Sequence, residues 1–438
     1  MIVINRETEL TPTLLYKVIN KFLTSERPKL IQWEDYYMGK HNILAKSYQD
    51  KSKKCNRVVT NFCRIIVDTY SGYICGKPIS YNSNDEIEEV QEVINYNDAD
   101  SEDIKFIRNA LTYGRAFELH WLDEWGKHRY SQMNPVSSFP IFDNTLDSKL
   151  LYFVRFYEAD NVDDTERYIW EVYSDTDKKT YSSVGLNGAL NFVGEESHYF
   201  GEVPVAVFML NDKEENIFDC VMSLNDAYNE LVSSEIDDYQ AFVDAYLVLS
   251  GGEIGTEEIG AMRENRVLLI PDGASANWLT KQVNDAQIEN MLSNIRKNIF
   301  KVTACPDMAD ENFLAQSGTA LSYKLVGFEN VASSIVANMT KAVQKRIELV
   351  CNILNLKASE AIWRDIQIIF TRNLPVNLTE TIQIVNALKG TVSDATLLGL
   401  LPFVDDVQAE IEAIEKQKKE NMSLYSFGMD IDDEEEIA

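Results

Sequence analysis

SGYICGKPISYN, residues 71–82, has the outline of a phosphate-binding loop: a glycine, a short gap, then Gly-Lys. A nucleotide hydrolase needs G-x-x-x-x-G-K-[ST] between a buried strand and the first turn of a helix, so that backbone amides face phosphate. Here the gap from Gly72 to Gly76 is one residue short, and Pro78 stands where Ser or Thr would hold magnesium. The flanks are also in the wrong order. Val58, Val59, Phe62, Ile65, Ile66, Thr69 and Tyr70 recur three and four apart, which predicts a helix over about 57–73. Pro78 blocks helix continuation and favours extended backbone at Lys77, so residues 78–81 read as a strand. The order is helix, glycine turn, strand, with Gly72 expected as the helix C-cap and Gly76 in the turn. The stretch is not a nucleotide site.

The chain has 438 residues, enough for roughly two to four domains. A hydrophobic share of 45% supports a sizeable core. Acidic residues number 70 against 41 basic ones, a net charge of −29, which argues against a surface that grips nucleic acid, because phosphate contacts need Lys and Arg. Six cysteines (55, 63, 75, 220, 305, 351) form no C-x-x-C, and the four histidines are scattered, so no metal site is expected and reduced thiols are the default. The N-terminus carries two acids and no long apolar core, and no run reaches the roughly 18 apolar residues of a membrane span; the expectation is a soluble intracellular chain.

Along the chain, residues 11–40 read as two short helices with Thr11-Pro12 as N-cap and first turn, and 84–113 as mostly helical. Period-two alternation then predicts a β-rich block over about 115–210, with a hairpin around Asp123–Lys127 and a turn at Asp175–Asp177. Residues 216–250 read as one long helix with Val221, Leu224, Tyr228 and Leu231 on its apolar stripe. A small insertion follows, with a polar helix near 256–264, the strand RVLLIP and ANWLTKQV. Another helix covers 284–304, a loop 306–318, and a very long helix 319–355 in which Gly327 is a candidate bend. Residues 362–374 look extended, 376–420 form helices broken at Gly390 and Pro402, and the acidic tail 421–438 is expected to be disordered.

Between Lys213 and Arg263 no basic residue occurs, while Glu214, Glu215, Asp219, Asp226, Glu230, Glu235, Asp237, Asp238 and Asp244 do. Solvated helices usually mix both signs to gain i,i+4 pairs. A run without local pairs is either a plain acidic surface or a face shaped to repel an anion. Catalytic chemistry does not surface: no G-x-S-x-G occurs, and no carboxylate pair is singled out by spacing. His120 alternates with Leu119 and Trp121 on a strand, as a sheet residue would. Trp121 and Trp125 read as packing residues rather than base-stacking platforms, and Lys51, Lys53, Lys54 and Arg57 make at most a weak phosphate site.

Five pieces carry a family resemblance: WEDYYMGKHNIL (33–44), NRVVTNFCRIIVDTYSGYICGKPISY (56–81), NIFKVTACPDMADENF (298–313), SGTALSYKLVGFEN (317–330) and LLPFVDDVQAEIEAIE (400–415). In this order they resemble portal proteins of tailed double-stranded DNA bacteriophages, of the long-tailed type that infects Gram-positive hosts. Gly-Tyr-Ile-Cys-Gly-Lys-Pro is similar to that family's Gly-Tyr-x-x-Gly-Lys-Pro turn. The resemblance implies an α+β portal fold with long stem and wing helices, a β-rich wing, a small α/β clip and a helical crown. It implies N-terminal helices and wing over 1–215, stem helices over 216–247 and 284–305, a clip over 248–283, a tunnel loop over 306–318, a wing helix and return strand over 319–375, and a crown over 376–420.

The function so implied is a ring, usually of about twelve subunits, at one capsid vertex of the virion, formed in the host cytoplasm, through which the genome is packaged and ejected. Implied partners are other copies of the chain, the large terminase subunit, a head-completion adaptor, major capsid and scaffolding proteins, and double-stranded DNA without sequence specificity. No enzyme activity, cofactor, metal or membrane is implied. Alternatives are another head-assembly or adaptor protein, or a carboxylate-based hydrolase. The implied tunnel loop carries Asp307, Asp310, Glu311, Asn312 and Phe313, and the acidic stem Glu230, Glu235, Asp237, Asp238 and Asp244. Lys297, Lys301 and Lys324 either touch DNA or pair with stem acids, and Arg263, Arg266 and Trp278 are candidate clip contacts. Carboxylates left without counter-ions would keep an anionic duplex on the tunnel axis, within a Debye length of ~8 Å.

Overall fold

The structure is a computed structural model that describes the chain except at residues 1, 50–54, 84–86, 160–166, 244–245, 251–274, 280–284, 310–317, 355–361, 374–377, 402–403, 405–406, 408–409 and 419–438. The polar helix near 256–264, the strand RVLLIP, Pro402 and the acidic tail therefore lie outside the described residues. The chain divides into two compact units, residues 1–316 with 320–373, and 317–319 with 374–438. Among the described residues no helix is long and apolar enough to cross a membrane.

In the first unit, β1 (Ile2–Ile4) leads into α1 (Pro12–Lys21), which a π turn at Phe22–Glu26 joins to α2 (Arg27–Tyr37). Thr11 caps α1 by accepting from the amide of Leu14 at 3.4 Å. Pro28 has no N–H to give the preceding turn, and the two predicted helices run together through this π turn into one continuous helical stretch. Helix α3 spans Phe62–Cys75, so it starts five residues later than the periodicity predicts and runs past Gly72. The C-cap is Gly76, not Gly72. The reason is space: a Cβ on Gly76 would lie 2.1 Å from the Gly72 carbonyl oxygen and 2.4 Å from Asn373 Nδ2, whereas a Cβ on Gly72 would meet nothing within 4 Å. The predicted strand follows as β2 (Ser80–Asn82).

Helices α4 (Glu88–Tyr96) and α5 (Ala99–Tyr113) come next, and α5 ends on Gly114 at φ +72°. Only glycine fits there, since the backbone is left-handed and a Cβ would come within 2.5 Å of the Glu214 carbonyl oxygen. The β-rich block is two sheets rather than one. Strands β3 (Arg115–Leu122), β4 (His128–Met133) and β10 (Val205–Met209) form one, in the order β10-β3-β4. The other contains β5 (Ser138–Asp143), β6 (Leu150–Glu158), β7 (Arg167–Tyr173), β8 (Asp177–Val184) and β9 (Asn191–Ser197), with β1 added in parallel at its β5 edge. Phe117, Leu119, Phe153, Tyr173, Val203 and Val205 pack between them. Trp125 projects into solvent, against the expectation of packing.

The predicted helix over 216–250 is shorter. A 3₁₀ turn at Asp219–Val221 precedes α6 (Met222–Val243), and Tyr246–Ser250 is strand β11, paired antiparallel with β12 (Ser275–Leu279). A short apolar run such as YLVLS fits helix and strand alike by periodicity, and pairing decides. Helices α7 (Asp285–Val302) and α8 (Gly318–Ile353) match the predicted pair, and α8 runs uninterrupted through Gly327. Most of the segment expected to be extended is not: Ile362–Asp365 is a helical turn, α9, and only Gln367–Ile369 is strand, β13, paired with β2. The second unit holds α10 (Leu378–Leu388), a break at Gly390, α11 (Asp394–Gly399) and helical residues 410–418.

One buried ion cluster ties α8 to the small sheet. Arg346 grips Glu118 of β3 with two 2.7 Å contacts and Asp103 of α5 at 2.6 Å, with none of the three side chains more than 3% exposed. Burial pushes the Asp103 carboxyl up to about 6 against the pull of Arg346. Burial also opposes ionisation of Glu118, but Arg346 and His120 overcome it and hold Glu118 down at about 2. His120 is fully buried, with Nδ1 2.9 Å from His128 Nε2, and burial holds both rings neutral, so His120 is the sheet residue expected of it.

Two outcomes test this architecture. Gly76→Ala should lower the melting temperature while Gly72→Ala leaves it level or raises it, as read by calorimetry. Arg346→Ala should destabilise the chain by about 3–5 kcal/mol in urea unfolding, because it leaves two buried carboxylates without their cation.

Candidate functional site

The site begins with a spacing. Asn225, Asn229, Ser233 and Asp237 stand four apart on α6, and four helical residues rise ~6 Å. Opposite them residues 56–61 are extended up to the N-terminus of α3. Every second residue of an extended chain points the same way, ~6.6 Å further on. The two pitches nearly coincide, and the side chains exploit it as a ladder of four rungs. Asp237 accepts from the amide of Asn56 (2.7 Å), Ser233 from Val58 (3.0 Å), Asn229 from Thr60 (2.8 Å) and Asn225 from Phe62 (3.1 Å). Asn225 also donates to the Thr60 carbonyl at 2.8 Å. Asn225, Asn229 and Ser233 are fully buried, so each unmade bond would leave a buried polar group without a partner.

The ladder also sets a tautomer. Because Asn229 Oδ1 takes the Thr60 amide, its Nδ2 donates to His41 Nδ1 at 3.1 Å. His41 Nε2 then carries the hydrogen, which it donates to the Tyr36 carbonyl at 3.1 Å. Burial favours this neutral ring and lowers its pKa.

The expectation of carboxylates without counter-ions fails on this helix. Glu230 lies 3.1 Å and Asp237 3.5 Å from Lys46 Nζ. Asp237 also accepts from Tyr48 (2.9 Å) and from the Asn56 side chain (2.7 Å). Asp226 accepts from Tyr36 (2.6 Å) and Asn42 (2.9 Å), Asp219 from Trp33 (2.7 Å), and Glu214 from Arg115 (3.0 Å). The partners come from residues 33–56 and Arg115, far away in sequence, where a search for i,i+4 cations does not look. Glu235 and Asp238 are half-buried on α6, and Asp244 lies outside the described residues. Burial of Asp237 opposes its charge, but the Asn56 and Tyr48 hydrogen bonds and Lys46 hold its carboxyl below the ordinary 3.8.

Helix α7 returns antiparallel in chain order and ends at a tight corner. Tyr70 donates to the Thr303 carbonyl at 2.8 Å, and Ala304 adopts a left-handed φ of +51°. The chain then meets Asp307, which Arg296 of α7 grips with two 2.8 Å bonds. Asp307 is thus an anchor folded back on its own helix. Asp310, Glu311, Asn312 and Phe313 lie outside the described residues, as do Arg263 and Arg266. Trp278 is on β12, in register with Leu247. Lys324 takes a helical position near the start of α8. Lys297 and Lys301 are exposed on α7, and among the described residues neither forms an ion pair with the α6 acids or any other carboxylate.

The described chain is mixed α/β, with α6 and α7 flanking the antiparallel pair β11–β12 in sequence and a 36-residue helix following them. The family model for phage portal proteins of the SPP1 Gp6-like type matches residues 16–424, and the chain belongs to that family. It is similar to the portal protein of Clostridium phage phiCD119, 23% identical over 434 residues that cover 92% of this chain and 95% of that one. It is similar also to the portal protein of Bacillus phage SPP1, 22% identical over 453 residues covering 95% and 89%. Among solved structures, the neck of an empty GTA particle computed with C6 symmetry aligns at a TM-score of 0.47 and 11% identity, covering 78% of this chain and 89% of that one. The neck of the native GTA particle, computed with C12 symmetry, aligns at 0.42 and 10% identity, covering 78% and 88%.

The ladder has a direct test. Asn229→Leu leaves the buried Thr60 amide without an acceptor, at about 1–3 kcal/mol. Amides 58–62 should then exchange faster by hydrogen–deuterium mass spectrometry while β3 and β6 stay protected. In the intact chain, the Asp237 contribution is fully present above the ordinary 3.8 and is lost as pH falls through the depressed folded value, so protection of the Asn56 amide should persist at pH 5 and fall below about pH 4.

Proposed function

We propose that copies of this chain close into a ring of about twelve subunits at one vertex of a phage capsid, and that the ring is the conduit through which double-stranded DNA enters and leaves. The family match across residues 16–424 carries this reading. The helix pair α6 and α7 forms the wall of the conduit, residues 248–283 serve as the clip, and the stretch over 306–318, most of it outside the described residues, is the part that approaches the axis. Residues 376–420 serve as the crown. The clip receives the large terminase subunit during packaging and a head-completion adaptor afterwards, and the wing contacts capsid and scaffolding proteins. The chain itself catalyses no reaction; work on the DNA comes from the terminase.

A net charge of −29 per chain, repeated around the ring, gives DNA nothing to adhere to over most of its path. Base sequence is not read, since a duplex that must slide cannot hold a preferred register. The purified chain should run in native mass spectrometry at about twelve times its own mass and appear in electron micrographs as a flanged ring with a central hole. A small species without a tunnel at micromolar concentration would overturn the reading.

A further inference from the structure

The 3₁₀ turn Asn42–Ala45 and helix α6 enclose an open groove of about 490 Å³, lined by Asn42, Ile43, Lys46, Asp226 and Glu230. Its charges do not balance. Lys46 is the one cation on the lining and is shared between Glu230 at 3.1 Å and Asp237 at 3.5 Å. Asp226 offers Oδ2 to Tyr36 and Asn42, but its Oδ1 is buried without a hydrogen-bond partner. Two lining carboxylates against one ammonium, itself shared with Asp237 beyond the lining, leave the groove at about −1. A buried carboxylate oxygen without a donor is unfavourable.

Two exposed cations elsewhere on the same chain match the spacing of these carboxylates. Lys297 and Lys301 are exposed on α7, four residues apart, with no ion pair among the described residues. Asp226 and Glu230 are likewise four apart on α6, so both pairs repeat at ~6 Å along a helix. Two cations at that pitch complement two carboxylates at the same pitch, and one protomer does not bring them together.

We propose that Lys297 and Lys301 of one copy seat against Asp226 and Glu230 of the next copy around the ring. The inference rests on the ring reading and adds its contact. The interface is heterologous: each copy presents the groove on one side and the lysines on another, so a closed ring leaves neither unmatched. Exposed ion pairs contribute little individually, and the contact is repeated at every subunit boundary. Assembly should therefore weaken as salt rises.

The experiment uses the full chain and reads ring population by native mass spectrometry. K297E/K301E and E230K should each reduce rings about tenfold, the effect of roughly one mis-signed pair. The triple variant should recover a large part of the loss, which a role in folding alone would not produce. As a second readout, Glu230→Cys with Lys301→Cys should give a covalent ladder beyond dimer under oxidation, absent from either single variant. Reversed variants that form rings at the wild-type level, or a missing ladder, overturn the contact. Normal rings from K297E/K301E with altered DNA packaging would assign the lysines to phosphate and also overturn it. A wild-type chain that forms no ring overturns the ring reading itself, a result distinct from rings that ignore charge reversal.

Discussion

The structure around α6 depends on a coincidence of two lengths: four residues of α-helix advance almost as far as two residues of extended chain. A helix with short polar side chains every fourth position can therefore act as the missing strand for a neighbouring segment, receiving its amides one by one. Asn225, Asn229, Ser233 and Asp237 do this for Phe62, Thr60, Val58 and Asn56. The register error accumulates at only ~0.6 Å per rung, which four rungs tolerate and many more would not. The ladder delivers the chain to Asn61, whose side chain caps α3 by accepting from Arg64 at 2.9 Å. It thereby places the helix that carries the opening glycines, and α3 in turn supplies Tyr70 to hold the corner after α7.

The same helix shows how an acidic chain keeps its charges from destabilising the fold. Asp226, Glu230 and Asp237 of α6 are held by Tyr36, Asn42, Lys46, Tyr48 and Asn56, and Trp33 holds Asp219 just before the helix. Most of these partners are neutral donors. A hydroxyl or amide stabilises a carboxylate without cancelling it, so hydrogen bonding is satisfied while the net charge survives. Arg346 represents the opposite solution, a buried cation set directly against Glu118 and Asp103 in the interior, where solvent cannot help them.

Elements with strong periodicity were legible in advance. The long helix α8, helix α7, the hairpin at Asp123–Lys127 and the strand after Pro78 all lie where pattern and turn chemistry put them. Boundaries set by tertiary partners were not. Val58 and Val59 fit a helical period, yet the ladder holds them extended, and only at Phe62 does the helix begin. YLVLS matched the helical stripe until its pairing with Ser275–Leu279 made it a strand. The ladder itself did leave a signal, since Asn, Asn and Ser at i, i+4 and i+8 sit poorly on a merely solvated helix. The acids around it mask that signal, because a carboxylate on a helix first suggests a counter-ion one turn away. What local spacing cannot express is a partner about 180 residues away, and every ladder rung is of that kind.

On the ring reading, engaged carboxylates suit a sliding duplex better than bare ones. A preferred register arises from near-field contrast, from isolated charges close enough to a phosphate to make one position different from the next. A carboxylate fixed by a tyrosine or an asparagine cannot swing toward the axis, and one shared with Lys46 has its near field largely cancelled. What remains is the net excess of acid, a smoother repulsion that decays over ~8 Å and carries little positional information. Near-field pairing with far-field excess is a way to repel DNA without gripping or indexing it. The physical requirement is therefore not that acids stand alone, but that they stand still.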